Sequence, residues 1–135
     1  MRMFSEIELR EAARAIESTQ MKSEKAILKL KDGSPQRRLT AQGIEAYALV
    51  RALIARELGE VPEQTAFARE ALAQAHEAFA FAAERVNSIL PKFSAGTPQH
   101  TLAVRRIRAF EIAQALILRE AAAKSEKSDL LEHKS

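Results

Sequence analysis

An all-α fold is predicted for this 135-residue chain: an up-down-up-down four-helix bundle made of two copies of one helical hairpin. Three observations carry that reading. The composition is rich in alanine and holds only 5% aromatic residues, which favours close-packed helices over sheets. The prolines and most of the glycines stand as punctuation between long uninterrupted stretches. The chain also matches itself at an offset of 63 residues. A chain of this length supports a single core, so one domain is expected over residues 1–124, with hairpins at about 6–58 and 62–123.

The first helix is expected from Glu6 to about Asp32. It opens on a capping box, with Ser5 as the cap, Glu8 as its reciprocal partner, and Phe4 and Leu9 as a hydrophobic staple. Gly33 then supplies the left-handed residue that ends a helix, Ser34 caps the next one, and Pro35 suits its first position, where no amide donor is needed. The second helix runs from Pro35 to about Leu58 and stops at Gly59. The third is expected from Pro62 to Leu90, before Pro91. Gly96, Thr97 and Pro98 repeat the first turn and open the fourth helix, which is well patterned to about Ala123. Residues 125–135 are polar except for Leu130 and Leu131 and are expected to fray.

The self-match runs without a gap from Gly33 to Glu57 against Gly96 to Glu120, and 11 of its 25 positions are identical. The shared turn residues Gly33/Gly96, Pro35/Pro98 and Gln36/Gln99 belong to it, as do Leu53/Leu116, Ile54/Ile117, Arg56/Arg119 and Glu57/Glu120. Similarity of composition would explain two alanine-rich helix bodies; it would not explain the same turn twice. Helix three is apolar on more than one side, through Phe67, Ala71, Ala78 and Phe81 as well as Leu72, Ala75, Phe79 and Val86. That excess predicts burial on several faces or a homo-oligomer.

Several functional classes are disfavoured. Without cysteine there is no disulfide framework and no thiolate chemistry. The N-terminal residues lack the apolar run of a secretory signal, and the most apolar stretches, 78–83 and 115–118, are far below a membrane span, so a cytoplasmic protein is expected. His76, His100 and His133 have no carboxylate three residues before them, so the Glu-x-x-His pattern of bundle metal sites is missing and no cofactor is expected. His100-Thr-Leu-Ala-Val-Arg resembles the histidine phosphotransfer motif only in its histidine, because Ala103 and Val104 stand where that motif has Lys and Gly. No phosphate loop, nucleophile elbow or convincing carboxylate pair is present, and an enzyme is not expected.

Charge is distributed along the bundle axis. Residues 22–38 hold six cations against two acids, and residues 85–108 hold five against none, which is +9 in all and leaves −6 for the rest of a chain whose net charge is +3. In the predicted topology the two turns lie at one basic end, where two helix N-termini add positive potential. Arg37, Arg38, Lys92, His100, Arg105 and Arg108 are the candidate anion or partner contacts there. A second candidate is internal. Arg106 falls on the stripe of Leu102, Ala109, Ala113 and Leu116, while its counterpart in the first copy is Gly43. The stripe of helix one turns polar at Gln20 and Ser23, and Ser23, Gly43 and Asn87 fall near the height of Arg106, so Gln20, Ser23, Asn87 and Arg106 are expected to frame a polar pocket. The function expected is a non-catalytic helical binding or adaptor module engaging an acidic protein surface. Non-specific binding of a nucleic-acid backbone is the alternative, and an enzyme with a pocket lacking any motif comes third.

Overall fold

In the computed structural model, which describes residues 3–133 with side chains through residue 126, four helices are joined by three short connections. They are α1 (Glu6–Ile27), α2 (Pro35–Glu57), α3 (Arg69–Ile89) and α4 (Pro98–His133), with one 3₁₀ turn at Leu90–Lys92 and no strand among the described residues. They pack as a bundle: α1 on α2, α2 on α3, α3 on α4 and α4 on α1, with α2 and α4 also touching across the middle.

The predicted punctuation forms as expected at the turns. Ser5 accepts from the Glu8 amide and Glu8 returns a bond to the Ser5 amide, completing the capping box. Gly33 and Gly96 adopt φ of 77° and 87°, a conformation costly for any residue with a Cβ. Ser34 Oγ accepts from the Arg37 amide and Thr97 Oγ1 from the His100 amide, each at 3.2 Å.

Three boundaries differ from expectation. α1 ends at Ile27 rather than Asp32, because residues 29 and 30 tighten into i→i−3 bonds to Ala26 and Ile27. α3 begins at Arg69 rather than Pro62, since Pro62 opens only a turn closed by the Thr65 amide, and the following stretch is pinned by Arg56, whose Nη1 donates to the Thr65 carbonyl at 2.9 Å. α4 continues to His133, past the expected end near Ala123, through residues that include neither Gly nor Pro. Of the tail expected to fray, residues 134–135 lie outside the described residues.

The core is apolar throughout, with no buried polar or charged residue among the described residues. Among the described residues, 16 of its 18 buried positions fall in pairs 63 residues apart, Ala103 and Ile112 having the half-buried Thr40 and Leu49 as counterparts. Leu9, Ala12 and Ile16 are the buried residues of α1, and Leu72, Ala75 and Phe79 those of α3. Ala46, Tyr47, Val50, Leu53 and Ile54 of α2 correspond in the same way to Ala109, Phe110, Ala113, Leu116 and Ile117 of α4. Phe79 sits between the two aromatic positions, edge-on to Tyr47 at 5.4 Å and to Phe110 at 5.6 Å, the T-shaped contact favoured by ring quadrupoles.

Candidate functional site

The Ser34 cap sets Arg37 at the start of α2, directly over the end of α1. Its Nη1 donates to the carbonyls of Ile27 at 3.0 Å and Leu30 at 2.8 Å, and pairs with Asp32 at 3.3 Å. Carbonyls where α1 ends, that of Ile27 already accepting from the Leu30 amide, thus gain a cationic donor, a favourable partner for the negative end of the helix dipole. Arg37, expected to offer its charge to a partner, is instead engaged within the fold. Arg108 departs from expectation similarly. It reaches Glu8 at 2.7 Å and Glu111 at 3.3 Å and lies over the Phe4 ring at 5.6 Å, which places it beside the start of α1 rather than at a turn. Hydrogen bonding to Glu8 holds its pKa above the ordinary guanidinium value, while the Ser5 amide and Arg108 hold the Glu8 carboxyl below its ordinary range.

Arg38, Lys92 and Arg105 remain exposed, and among the described residues their side chains make no hydrogen bond or ion pair. His100 is half-buried at the first turn of α4. Exposed apolar residues accompany these cations in the chain: Leu39 beside Arg38, Ile89 before Lys92, and Leu102 and Val104 around Arg105.

A cleft of about 390 Å³ opens between α2 and α3. Gly43 makes the room. Leu39 stands beside it on α2 and Ala78 and Phe81 across the gap on α3, with the Tyr47 ring as a floor and Gln36, Thr40, Gln74, Glu77 and Arg85 contributing polar atoms. A Cβ on Gly43 would meet the Tyr47 ring and hydroxyl at 3.6–3.7 Å, an ordinary contact. Burial raises the Tyr47 pKa, opposed by the positive charges of Arg85 and Arg106, so both guanidiniums act on this phenol.

The four residues expected to frame an internal pocket have separate surroundings. Ser23 lines the cleft, but Gln20 bonds Glu24 at 3.0 Å and Arg51 at 3.2 Å, and Asn87 is exposed and donates to the Ala83 carbonyl. Arg106 does not line the cleft, yet its Nε and Nη2 are buried without a hydrogen-bond partner. The size contrast between Gly43 and Arg106 pointed toward this region; the part of Tyr47 carried no sequence signal, because a tyrosine on an apolar stripe reads as core.

A second polar cluster lies toward the other ends of α2 and α4. Arg56 pairs with Glu120 through both terminal guanidinium nitrogens, and Arg119 pairs with Glu57, with Nη1 to Oε1 distances of 3.2 Å in each case. Arg56 also lies over the Phe67 ring at 5.3 Å. The described residues contain no group of three or more His, Asp or Glu placed to hold a metal ion, and no helix among them is long and apolar enough to cross a membrane. Comparison of the chain with protein-family models, with curated proteins and with solved structures finds no match.

Proposed function

We propose that the protein is a non-catalytic helical binding module, an up-down-up-down bundle of two duplicated hairpins whose turn end engages an acidic, amphipathic segment of another protein. The duplication is supported by positions 63 residues apart that share burial in all four helices and by the matching caps at Ser34 and Thr97. The reciprocal pairs Arg56–Glu120 and Arg119–Glu57 add to this, since two copies related by a pseudo-two-fold axis make each contact twice.

The observation that carries the functional reading is the alternation of unpaired cations with exposed apolar side chains at Arg38-Leu39 and at Leu102, Val104 and Arg105. Charge alone would suit a phosphate backbone equally well. Exposed leucines and a valine gain nothing from phosphates but are buried usefully by an amphipathic helix. The acidic partner therefore fits better than nucleic acid.

Fluorescence anisotropy with a labelled helical peptide bearing Glu and Leu on one face tests this, beside single- and double-stranded nucleic acid at low and physiological salt. The peptide is expected to bind, and Arg38→Glu with Arg105→Glu to weaken it by more than about tenfold. Arg37 is left intact because changing it would uncap α1. Nucleic-acid binding with a steep salt dependence and no peptide binding would replace this reading with the backbone-binding one. Light scattering on the same samples tests the homo-oligomer that the apolar excess of α3 suggested; a monomer mass would remove it.

A further inference from the structure

We infer that the cleft over Gly43 is a binding site for a small organic carboxylate with an apolar tail, its carboxylate held by Arg85 and the Tyr47 hydroxyl and its tail laid between Leu39, Ala78 and Phe81.

The cleft's volume, about 390 Å³, falls in the range of small-molecule sites. Its walls are mixed in the manner such sites require: apolar surface for affinity and a few polar groups for orientation. Leu39 and Phe81 are each more than half exposed, so the protein itself leaves them uncovered at the mouth. The Tyr47 ring is buried, while its hydroxyl lies beside Gly43 at the cleft, open to solvent and engaged by no other described residue. Burial raises its pKa, so the phenol keeps a proton to donate, and a ligand that brings an acceptor gives it a partner.

Charge selects which acceptor. Arg85 lines the cleft and has no ion pair among the described residues, and the half-buried Arg106 adds a second positive charge close enough to act on the same phenol. Glu77 is the acidic residue of the lining, eight residues before Arg85 on α3 and therefore about 12 Å away along the helix axis. An anionic head is thus directed to the Arg85 end and the tail toward Glu77, over Ala78 and Phe81. Sixty-three residues after Gly43 the second half of the chain carries Arg106; on the Gly43 side a hydrogen atom takes the place of that long side chain, and the cleft is the space it leaves.

Octanoate, octan-1-ol and octylamine share one tail and differ in the charge of the head, so they separate anion recognition from apolar partition. Titrated into isotope-labelled full-length protein and followed by amide NMR, octanoate is expected to shift residues 39–43 and 78–85. It should bind about tenfold more tightly than octan-1-ol, as a charge-assisted contact implies. Arg85→Gln is expected to bring octanoate down to the level of the alcohol. Gly43→Leu should abolish binding of both while the thermal midpoint stays at or above that of the parent, since the backbone there is ordinary helix and the new Cβ has room. Gly43→Ala, one methyl smaller, gives an intermediate loss and serves the same purpose if Leu overpacks. Equal binding of alcohol and carboxylate overturns the proposal, as does octanoate binding that survives Gly43→Leu, or the absence of shifts at the cleft. The reading of the basic turns shares Leu39 with this site but not its cations: Arg38→Glu with Arg105→Glu leaves octanoate binding unchanged, since neither arginine lines the cleft.

Discussion

Arg106 and Glu8 illustrate opposite fates of a charge placed near a helix interface. The guanidinium of Arg106 keeps Nε and Nη2 buried with nothing to receive their protons, and a buried unsatisfied donor costs on the order of 1–3 kcal/mol. Methionine preserves the stem and removes the donors, so Arg106→Met is expected to raise stability by about 1–2 kcal/mol, a few degrees in thermal midpoint; an unchanged or lowered midpoint would show that the guanidinium is satisfied in solution. Glu8, in contrast, is exposed and well served, by the Ser5 amide first and then by Arg108, and its pKa lies below the ordinary carboxylate range. Its folded pKa is depressed relative to the unfolded chain. The stability it contributes is therefore present above the unfolded carboxylate pKa and is lost as pH falls through the lower folded value. Urea unfolding of Glu8→Gln across the acid range should show a shallower loss than the parent, with curves that converge at the acid limit. Parallel curves would mean that Glu8 titrates as it does in the unfolded chain.

At the scale of single elements, the same substitution is expected to have opposite signs at two glycines. Gly43 lies inside α2 with helical φ and room for a methyl, so Gly43→Ala should stabilise by about 0.5–1 kcal/mol through backbone entropy. Gly33 sits at φ 77° at the end of a turn, and Gly33→Ala should destabilise by about 1 kcal/mol or more. Thermal midpoints of the two variants moving in the same direction would refute this. The contrast also explains which features were legible in the sequence. Caps and turns were, because Ser5, Ser34, Thr97 and the glycines after the helices act through bonds to residues at most four positions away. The start of α3 was not, because Pro62 is a good first helical residue and the long-range contacts that engage the following stretch, at Thr65 and Phe67, come from Arg56 in the preceding helix. The contacts of Arg37 and Arg108 within the fold were not legible for the same reason: a cation's composition signal is identical whether it faces water, a helix end or an acid on another helix. The expected copy relation between α1 and α3 rests on few shared residues, and the burial of Ile16 and Phe79, 63 positions apart, is consistent with it.

At the scale of the whole molecule, the two halves meet through contacts that the inferred pseudo-symmetry would make twice, and their energies can be separated. The side chains of Arg56 and Glu120 are each only 15% exposed, whereas Arg119 is 37% exposed opposite a Glu57 that is 16% exposed. Deleting one member of the first pair strands a largely buried charge, so Arg56→Met or Glu120→Met alone should cost about 2–4 kcal/mol, and the double substitution much less than the sum. The second pair, with its arginine closer to water, should show coupling of the same sign but smaller, about 0.5–1 kcal/mol. Double-mutant cycles by urea unfolding measure both terms. Two favourable couplings of unequal size are what a duplicated contact would produce once the copies had diverged in their surroundings, with the Phe67 ring and the Thr65 carbonyl gathered around Arg56. Additive costs in both cycles would leave the apolar core alone holding the hairpins together, and the reciprocity of the ion pairs would carry no energetic meaning.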